Sequence, residues 1–359
     1  MNVVVVWKAD MTSDKKISEL GEFGLISRIA AGVSSANNVI TGIGDDAAVT
    51  VLAPGMQLLT STDMLLEDVH FRRNWHDPFR LGRKSLAVSI SDIAAMGAMP
   101  RWALLSLAIP ADLSLNFIDD FIRGFLVMAD EHGVSLIGGD TCSSHTGLTV
   151  SVTIMGEQLP NLILRRSGAQ PGDDIWVTGT LGDAAMALMM LDFDSAQSPG
   201  SSRPALCSSS ETEGNDYLLS RLLNPTPRVS AGLALSESGL VSSMIDVSDG
   251  ILADFGHIAE QSGVGGRVRL ENIPLSAAYR ICAEKLPEYP YQLALTGGED
   301  YELCFTAPVE YREKIIECVK KCGIDATPVG IVTSLPGVAV IRADGTGFSL
   351  QNKGFNHFT

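Results

Sequence analysis

The sequence predicts an α+β (mixed α/β) fold in two domains, and three observations carry that reading. At 359 residues the chain is longer than one hydrophobic core normally serves. Strand-like and helix-like apolar runs follow one another in mixed order, with no regular βαβ repeat and no solenoid period. Short acidic segments abut several of the strand-like runs, the position at which α/β proteins hold ligands. A hydrophobic fraction of 45% is ordinary for a globular protein with a core of good size.

Residues 1–16 read as a flexible extension. Their four-valine run is too short for the apolar region of a signal peptide and has no basic flank. Residues 17–160 read as the first domain. It opens with a helix whose apolar residues, Ile17, Leu20, Phe23, Ile26 and Ile29, fall near helical spacing. Two strands follow, AAVTVL and MQLLTSTDML, joined by the turn APGM. Asp77-Pro78 starts a helix that runs through LGRKSLAVSISDIAAMGA, because Asp caps and Pro suits the first turn. Its small-residue end, Ala94 to Ala98, implies close packing. RWALLSLAIP is a strand, LSLNFIDDFIRGFLVMADEHG an amphipathic helix ended by Gly133, and VSLIGGDT and LTVSVTIMGE are strands.

Residues 161–359 read as a second, α/β domain, entered through the turn-rich RRSGAQPGD. A strand, Gly turn and helix come first. Residues 194–215 are Ser-rich and polar and read as a mobile insertion. RLLNPTPRV leads into a helix, and MIDVSDGILADFGHIAEQSG reads as strand, acidic turn and helix. GRVRLENIPL and QLALTGGEDYELCFTAP read as strands, the second interrupted at its Gly-Gly-Glu-Asp turn. A helix, VEYREKIIECVKKCG, and further strands close the sheet.

The acidic segments carry the chemistry. They are GIGDDAAVT at Gly42–Thr50, STD at Ser61–Asp63, SDIAAMGA at Ser91–Ala98, GGDT at Gly138–Thr141 and DVSDG at Asp246–Gly250. One Asp in a Gly-rich turn is an ordinary turn residue. Five such segments in one chain point to a shared acidic site. Gathered carboxylates repel and raise one another's pKa, a cost that hard divalent cations remove, and oxygen-only ligands suit Mg²⁺ bound together with phosphates. Adjacent side chains on a strand point to opposite faces, so neighbours such as Asp45 and Asp46 cannot both enter one site.

Composition and missing motifs narrow the class. A net charge of −16 argues against nucleic-acid binding, and no apolar run reaches the roughly 20 residues of a membrane helix. The six cysteines form no CxxC pair and read as reduced thiols of a cytoplasmic protein. P-loop, GxGxxG, GxSxG and HExxH motifs are all absent. His70, beside Glu67 and Asp68, is the histidine that stands out, and Arg165-Arg166 is a pair that could meet phosphate or simply be solvated.

GIGDDAA, STDML-ED-HF, SDIAAMGA-P, GGDT, RSGA-PGD, NPTPRV, DVSDGI, GGEDYEL and the terminal GF-HF occur in this order. In that set the chain resembles the thiamine-monophosphate kinase family, within the superfamily of aminoimidazole ribonucleotide synthetase-like proteins. The likeness runs from about Ile17 to Phe358; only the N-terminal extension and the Ser-rich stretch lack a family motif. The resemblance implies a two-domain fold whose N-terminal domain binds ATP and Mg²⁺ and pairs in a homodimer. It also implies direct in-line transfer of the ATP γ-phosphoryl group to thiamine monophosphate, giving thiamine diphosphate and ADP without a catalytic side chain. Carried over by motif, Asp45, Ser61, Thr62, Asp63, Asp92, Asp140, Asp246 and Asp249 would hold several Mg²⁺ ions. Gly139, Asp140, Arg166 and Ser248 would contact ATP. His70, Glu299 and Phe355, with Phe358 as a close neighbour in the same motif, would contact the thiamine phosphate. The competing readings are another ATP-using enzyme of the superfamily and a non-catalytic Mg²⁺–nucleotide-binding protein. A selenophosphate synthetase would need a reactive Cys in an N-terminal Gly-rich loop, and no Cys precedes Cys142.

Overall fold

The computed structural model describes residues 17–33, 38–195, 212–284 and 291–350. The N-terminal extension, most of the Ser-rich stretch, Phe355 and Phe358 lie outside the described residues. The chain packs as two compact units. One runs to Ile93 and then takes Met99–Pro160; the other takes Ala94–Ala98 and continues from Asn161.

The first unit contains α1 (Ile17–Ala31), β1 (Val39–Thr41), β2 (Val49–Thr50), β3 (Gln57–Leu66), most of α2 (Pro78–Ala95), β4 (Met99–Pro110), α3 (Leu115–His132), β5 (Ser135–Ser144) and β6 (Thr149–Gln158). The caps read from the sequence are present. The Asp77 carboxylate accepts from Arg80 N at 3.0 Å, and Gly133 ends α3 in the left-handed conformation at φ 66°. Strands β3, β6, β4 and β5 form one sheet in that order, antiparallel except for the β4–β5 pair. Its strands alternate as half-buried strands should: Val150, Val152 and Ile154 of β6 are buried, while Ser151 and Thr153 are only partly covered. An Arg28–Asp119 ion pair, bidentate at 2.6 Å, ties α1 to α3.

The second unit contains β7 (Asp174–Thr178), α4 (Asp183–Ser195), α5 (Thr212–Leu223), α6 (Val229–Ser238), β8 (Ser243–Val247), α7 (Ile251–Ser262), β9 (Gly265–Arg269), α8 (Ala277–Ala283), α9 (Gln292–Thr296), β10 (Glu302–Ala307), α10 (Arg312–Lys320), β11 (Ala326–Thr333), β12 (Gly337–Ile341) and β13 (Gly347–Phe348). Its sheet runs β13-β12-β9-β11-β7-β10-β8, and only β12–β9 is parallel. Every residue of β7, β8 and β10 is buried, because helices cover both faces. Ile175 and Val177 join the side packed by α4, α5 and α7, whereas Trp176 joins the side packed by α6 and α10 and stacks on Phe305 at 5.9 Å.

Several expectations are corrected. QLALT is the short helix α9, not a strand; a five-residue apolar run has too few positions to distinguish the two periods. Residues 212–215, read as part of the insertion, are the first turn of α5. The small-residue stretch Ala94–Ala98, read with the first domain, packs with the second unit: Ala95 lies in that unit's core and Leu164 N donates to Met96 O at 3.1 Å. Cys282 is disulfide-bonded, which corrects its reading as a reduced thiol; Cys142, Cys304, Cys318 and Cys322 are free.

His76 is buried edge-on against Phe71, with ring centroids 6.3 Å apart. Burial first, and then the Lys84 charge, push its pKa down to about 3 from 6.5. A lowered pKa means that the fold holds the neutral ring, so its contribution is intact above 6.5 and is lost as the pH falls towards 3. His76→Phe should therefore remove part of the acid sensitivity. Between neutral pH and about pH 4 the variant should lose less stability than the wild type, by up to about 3 kcal/mol. Denaturant midpoints at the two pH values test this, and parallel losses would reject it.

Candidate active site

In the first unit, strand and helix geometry bring two of the acidic motifs together. Ser61 and Asp63 are two apart on β3 and share the face that carries buried Leu59 and Leu65. Ser89 and Asp92 are three apart on α2 and so share one helix face. The two pairs interlock. Ser61 Oγ donates to Asp92 Oδ2, and Ser89 Oγ donates to Asp63 Oδ2 at 2.7 Å. Each hydroxyl orients a carboxylate without neutralising it. Ser89 was missed from the sequence, although the spacing Ser-x-x-Asp on an amphipathic helix is a readable signal.

Thr62 does not join them. Alternation turns its side chain to the opposite face, where Oγ1 lies 3.2 Å from Val152 O and 3.2 Å from Thr153 Oγ1. A metal held beside Ser61 and Asp63 would meet Thr62 only through its main-chain oxygen. Asp140 is displaced further. It is exposed on β5, the edge opposite β3, and its register partners Ser106, Ser151 and Met64 mark the face opposite Asp63. Three strand spacings, about 14 Å, separate those two edges. Gly139 beside it adopts φ 156°, and a Cβ there would run into the Leu105 carbonyl, so the close approach of β4 already requires glycine. Asp45 is exposed in the turn after Gly44, and its carboxylate accepts from Asp46 N at 2.9 Å.

His70 sits in a tight turn at the end of β3. Val69 N and His70 N donate to Leu66 O at 3.2 and 2.9 Å, and Asp68 takes φ 65°. His70 Nδ1 accepts from Leu66 N at 3.1 Å, which places the ring proton on Nε2. Glu67 braces the turn by accepting from Arg73 Nε at 2.5 Å and from Leu148 N at 2.7 Å.

In the second unit, DVSDG continues from β8 into α7. Ser248 N, Asp249 N and Gly250 N all donate to one oxygen of Asp254, at 3.1, 3.1 and 3.0 Å. Burial, and then the neighbouring Asp246 and Asp249 charges, push the Asp254 pKa up to about 8. The turn's amides are thus already used, and Asp246, Ser248 and Asp249 can act through side chains. The GGEDY turn lies directly on this segment. Glu299 N donates to Ser248 O and Tyr301 N to Val247 O, both at 2.8 Å. A Cβ on Gly298 would collide with the Ser248 carbonyl, so this backbone contact demands glycine. Arg166 is exposed, with its carbonyl 3.4 Å from Ser262 Oγ. Asp254 went unread because its role depends on three amides folding back on it.

Among the described residues, no three His, Cys, Asp or Glu side chains are gathered to hold an ion. The donors fit a hard cation in chemical type: carboxylate and hydroxyl oxygens around Asp63 and Asp92, and carboxylates around DVSDG whose mutual repulsion a cation relieves.

Two family models match the chain: AIR synthase related protein, N-terminal domain, over residues 44–158, and its C-terminal domain over residues 170–342. The thiamine-monophosphate kinase of Escherichia coli (strain K12) is 38% identical over 340 residues, 94% of this chain and 98% of its own length. That of Bacillus subtilis (strain 168) is 35% identical over 341 residues, 94% of this chain and 100% of its own. Among solved structures, the thiamine-monophosphate kinase from Stenotrophomonas maltophilia K279a has a TM-score of 0.78 at 40% identity, covering 90% of this chain and 96% of its own. A structure of AaThiL complexed with AMPPCP and TMP has a TM-score of 0.72 at 33% identity, covering 97% and 100%. The interlocked serines and aspartates, the DVSDG turn and the GGEDY turn therefore belong to a member of the AIR synthase related family, and within it of the thiamine-monophosphate kinases.

Proposed function

We propose that this chain transfers the γ-phosphoryl group of ATP to thiamine monophosphate, forming thiamine diphosphate and ADP. The observation that carries the reading is the near full-length likeness to AaThiL complexed with AMPPCP and TMP. In this reading Asp45, Asp63 and Asp92, the last two oriented by Ser89 and Ser61, are Mg²⁺ ligands of the first unit, and Asp246 and Asp249 are Mg²⁺ ligands of the second. Bound Mg²⁺ would neutralise phosphate charge and order the reacting oxygens. Ser248 meets ATP through its hydroxyl, because its N–H goes to Asp254 and its carbonyl to Glu299 N. Gly139 and Arg166 complete the nucleotide contacts. His70 offers a neutral Nε2–H donor to the acceptor phosphate, and Glu299 and Phe355 contact the rest of that substrate. A phosphate acceptor is already ionised near neutral pH, so no side chain need act as base.

We also read the protein as a cytoplasmic homodimer, since ATP is drawn from that compartment. Among the described residues, no helix is long and apolar enough to cross a membrane. β3 is a ten-residue edge strand with Leu58 and Met64 exposed, and Ile40, Val49 and Val51 are exposed nearby in sequence. Pairing would cover such a surface. It would also account for Asp140, which stands on the wrong edge and face to serve the Asp63 of its own chain but could serve that of a second copy.

An ADP-release assay tests the function. Thiamine monophosphate should support turnover, while thiamine and an aminoimidazole ribonucleotide-type substrate should not; nucleotide binding without ADP release would leave only a binding protein. Asp63→Asn should cut kcat on the order of 100-fold with the fold intact, because Ser89 can still donate to the amide oxygen. Turnover near the wild-type rate would remove Asp63 from the metal site. For the shared site, Asp63→Asn and Asp140→Asn proteins should each keep no more than about a hundredth of wild-type activity alone. Dissociated and reassociated together, they should regain about a quarter of wild-type activity, because half the dimers then carry one intact site. No recovery would place both aspartates in the site of a single chain.

A further inference from the structure

The GGEDY turn holds two non-glycine residues in the left-handed region, Glu299 at φ 69° and Tyr301 at φ 49°. Such a backbone persists only when its surroundings over-determine it. Two of its anchors are the amides of Glu299 and Tyr301 on the end of β8. The third points elsewhere: the Asp300 carbonyl accepts from Arg221 Nη2 at 3.0 Å. The same Nη2 donates to Glu302 Oε1 at 2.8 Å, and Arg221 Nε lies 3.8 Å from Asp183 Oδ2. Arg221 is buried on α5, far away in sequence. Glu302 does not depend on it for charge balance, because Arg228 binds that carboxylate with two nitrogens, at 2.7 and 2.5 Å, and Thr178 Oγ1 adds a bond at 2.7 Å. Asp300 is fully buried, its Oδ2 accepts from Gly182 N at 2.8 Å, and burial raises its pKa well above the usual carboxylate range.

We propose that Arg221 is a positioning residue for the acceptor substrate: by bonding the Asp300 carbonyl and the Glu302 carboxylate together, it fixes the backbone that presents Glu299. This rests on the assignment of Glu299 to the acceptor. Lysine keeps the charge beside Asp183, Asp300 and Glu302, but its Nζ falls about where the guanidinium carbon stands, one bond short of the Nη2 that bonds both oxygens. A role in charge balance alone is therefore rescued by Arg221→Lys, and a positioning role is not.

The test is the full-length Arg221→Lys protein in two measurements. In hydrogen exchange, peptides covering 297–301 should exchange at least about tenfold faster than in the wild type, while those covering β7 remain unchanged. In kinetics, KM for thiamine monophosphate should rise about tenfold with KM for ATP within about twofold, matching Glu299→Gln in the same assay. Unchanged exchange in the turn overturns the proposal whatever the kinetics. Faster exchange throughout the second unit also overturns it, because Arg221 is then a general stabiliser. If exchange rises in the turn alone but neither variant changes acceptor KM, the assignment of Glu299 fails, and with it the claim that Arg221 serves the acceptor.

Discussion

A carboxylate taken out of water needs polar hydrogens pointed at it, and that requirement organises both units. Leaving such a group unsatisfied costs about 1–3 kcal/mol, and more when it is charged. The chain meets the need in two ways. Hydroxyls and amides serve Asp63, Asp92 and Asp254; guanidinium groups serve Asp119, Asp174 and Glu302. The difference has chemical consequences. An arginine neutralises its partner, whereas a neutral donor orients a carboxyl group without bringing a charge of its own. The carboxylates oriented by neutral donors lie in or beside the motifs shared with the thiamine-monophosphate kinases, and those paired to arginines mostly join elements distant in sequence.

Features governed by local periodicity were legible from the sequence. The Asp77 cap, the Gly133 stop and the alternation along β3 and β6 depend on residues a few positions apart, and the structure agrees at each. Thr62 shows how alternation bears on motif transfer: STD is one motif in sequence, but two of its side chains face α2 and the third faces away. Asp140 shows the limit. Its place opposite Ser106, on the far edge from Asp63, depends on strand order, which no local pattern records. The helix α9 and the start of α5 were misread because short segments take their form from what they pack against.

The second unit places nucleotide and acceptor assignments on one piece of backbone. Ser248 gives its N–H to Asp254 and its carbonyl to Glu299, so a residue assigned to ATP and one assigned to the acceptor are separated by a single hydrogen bond. That bond ties the two turns together. Gly298 is where this coupling is tightest, because any side chain there would push the two turns apart.

Such rigidity suits the chemistry. When the acceptor is itself a phosphate, its oxygen is an anion before the reaction starts, and proton removal contributes nothing to the barrier. What remains is to bring two anions together in line against their repulsion, a task for fixed geometry and compensating charge. Flexible basic side chains would supply charge but not geometry. In the proposed reading, carboxylates braced by serines and amides would supply geometry, and ions arriving with the nucleotide would supply the compensating charge. An excess of acid in a protein that handles phosphates is then no contradiction: in the proposed reading the negative side chains would hold the cations that offset the phosphate charge.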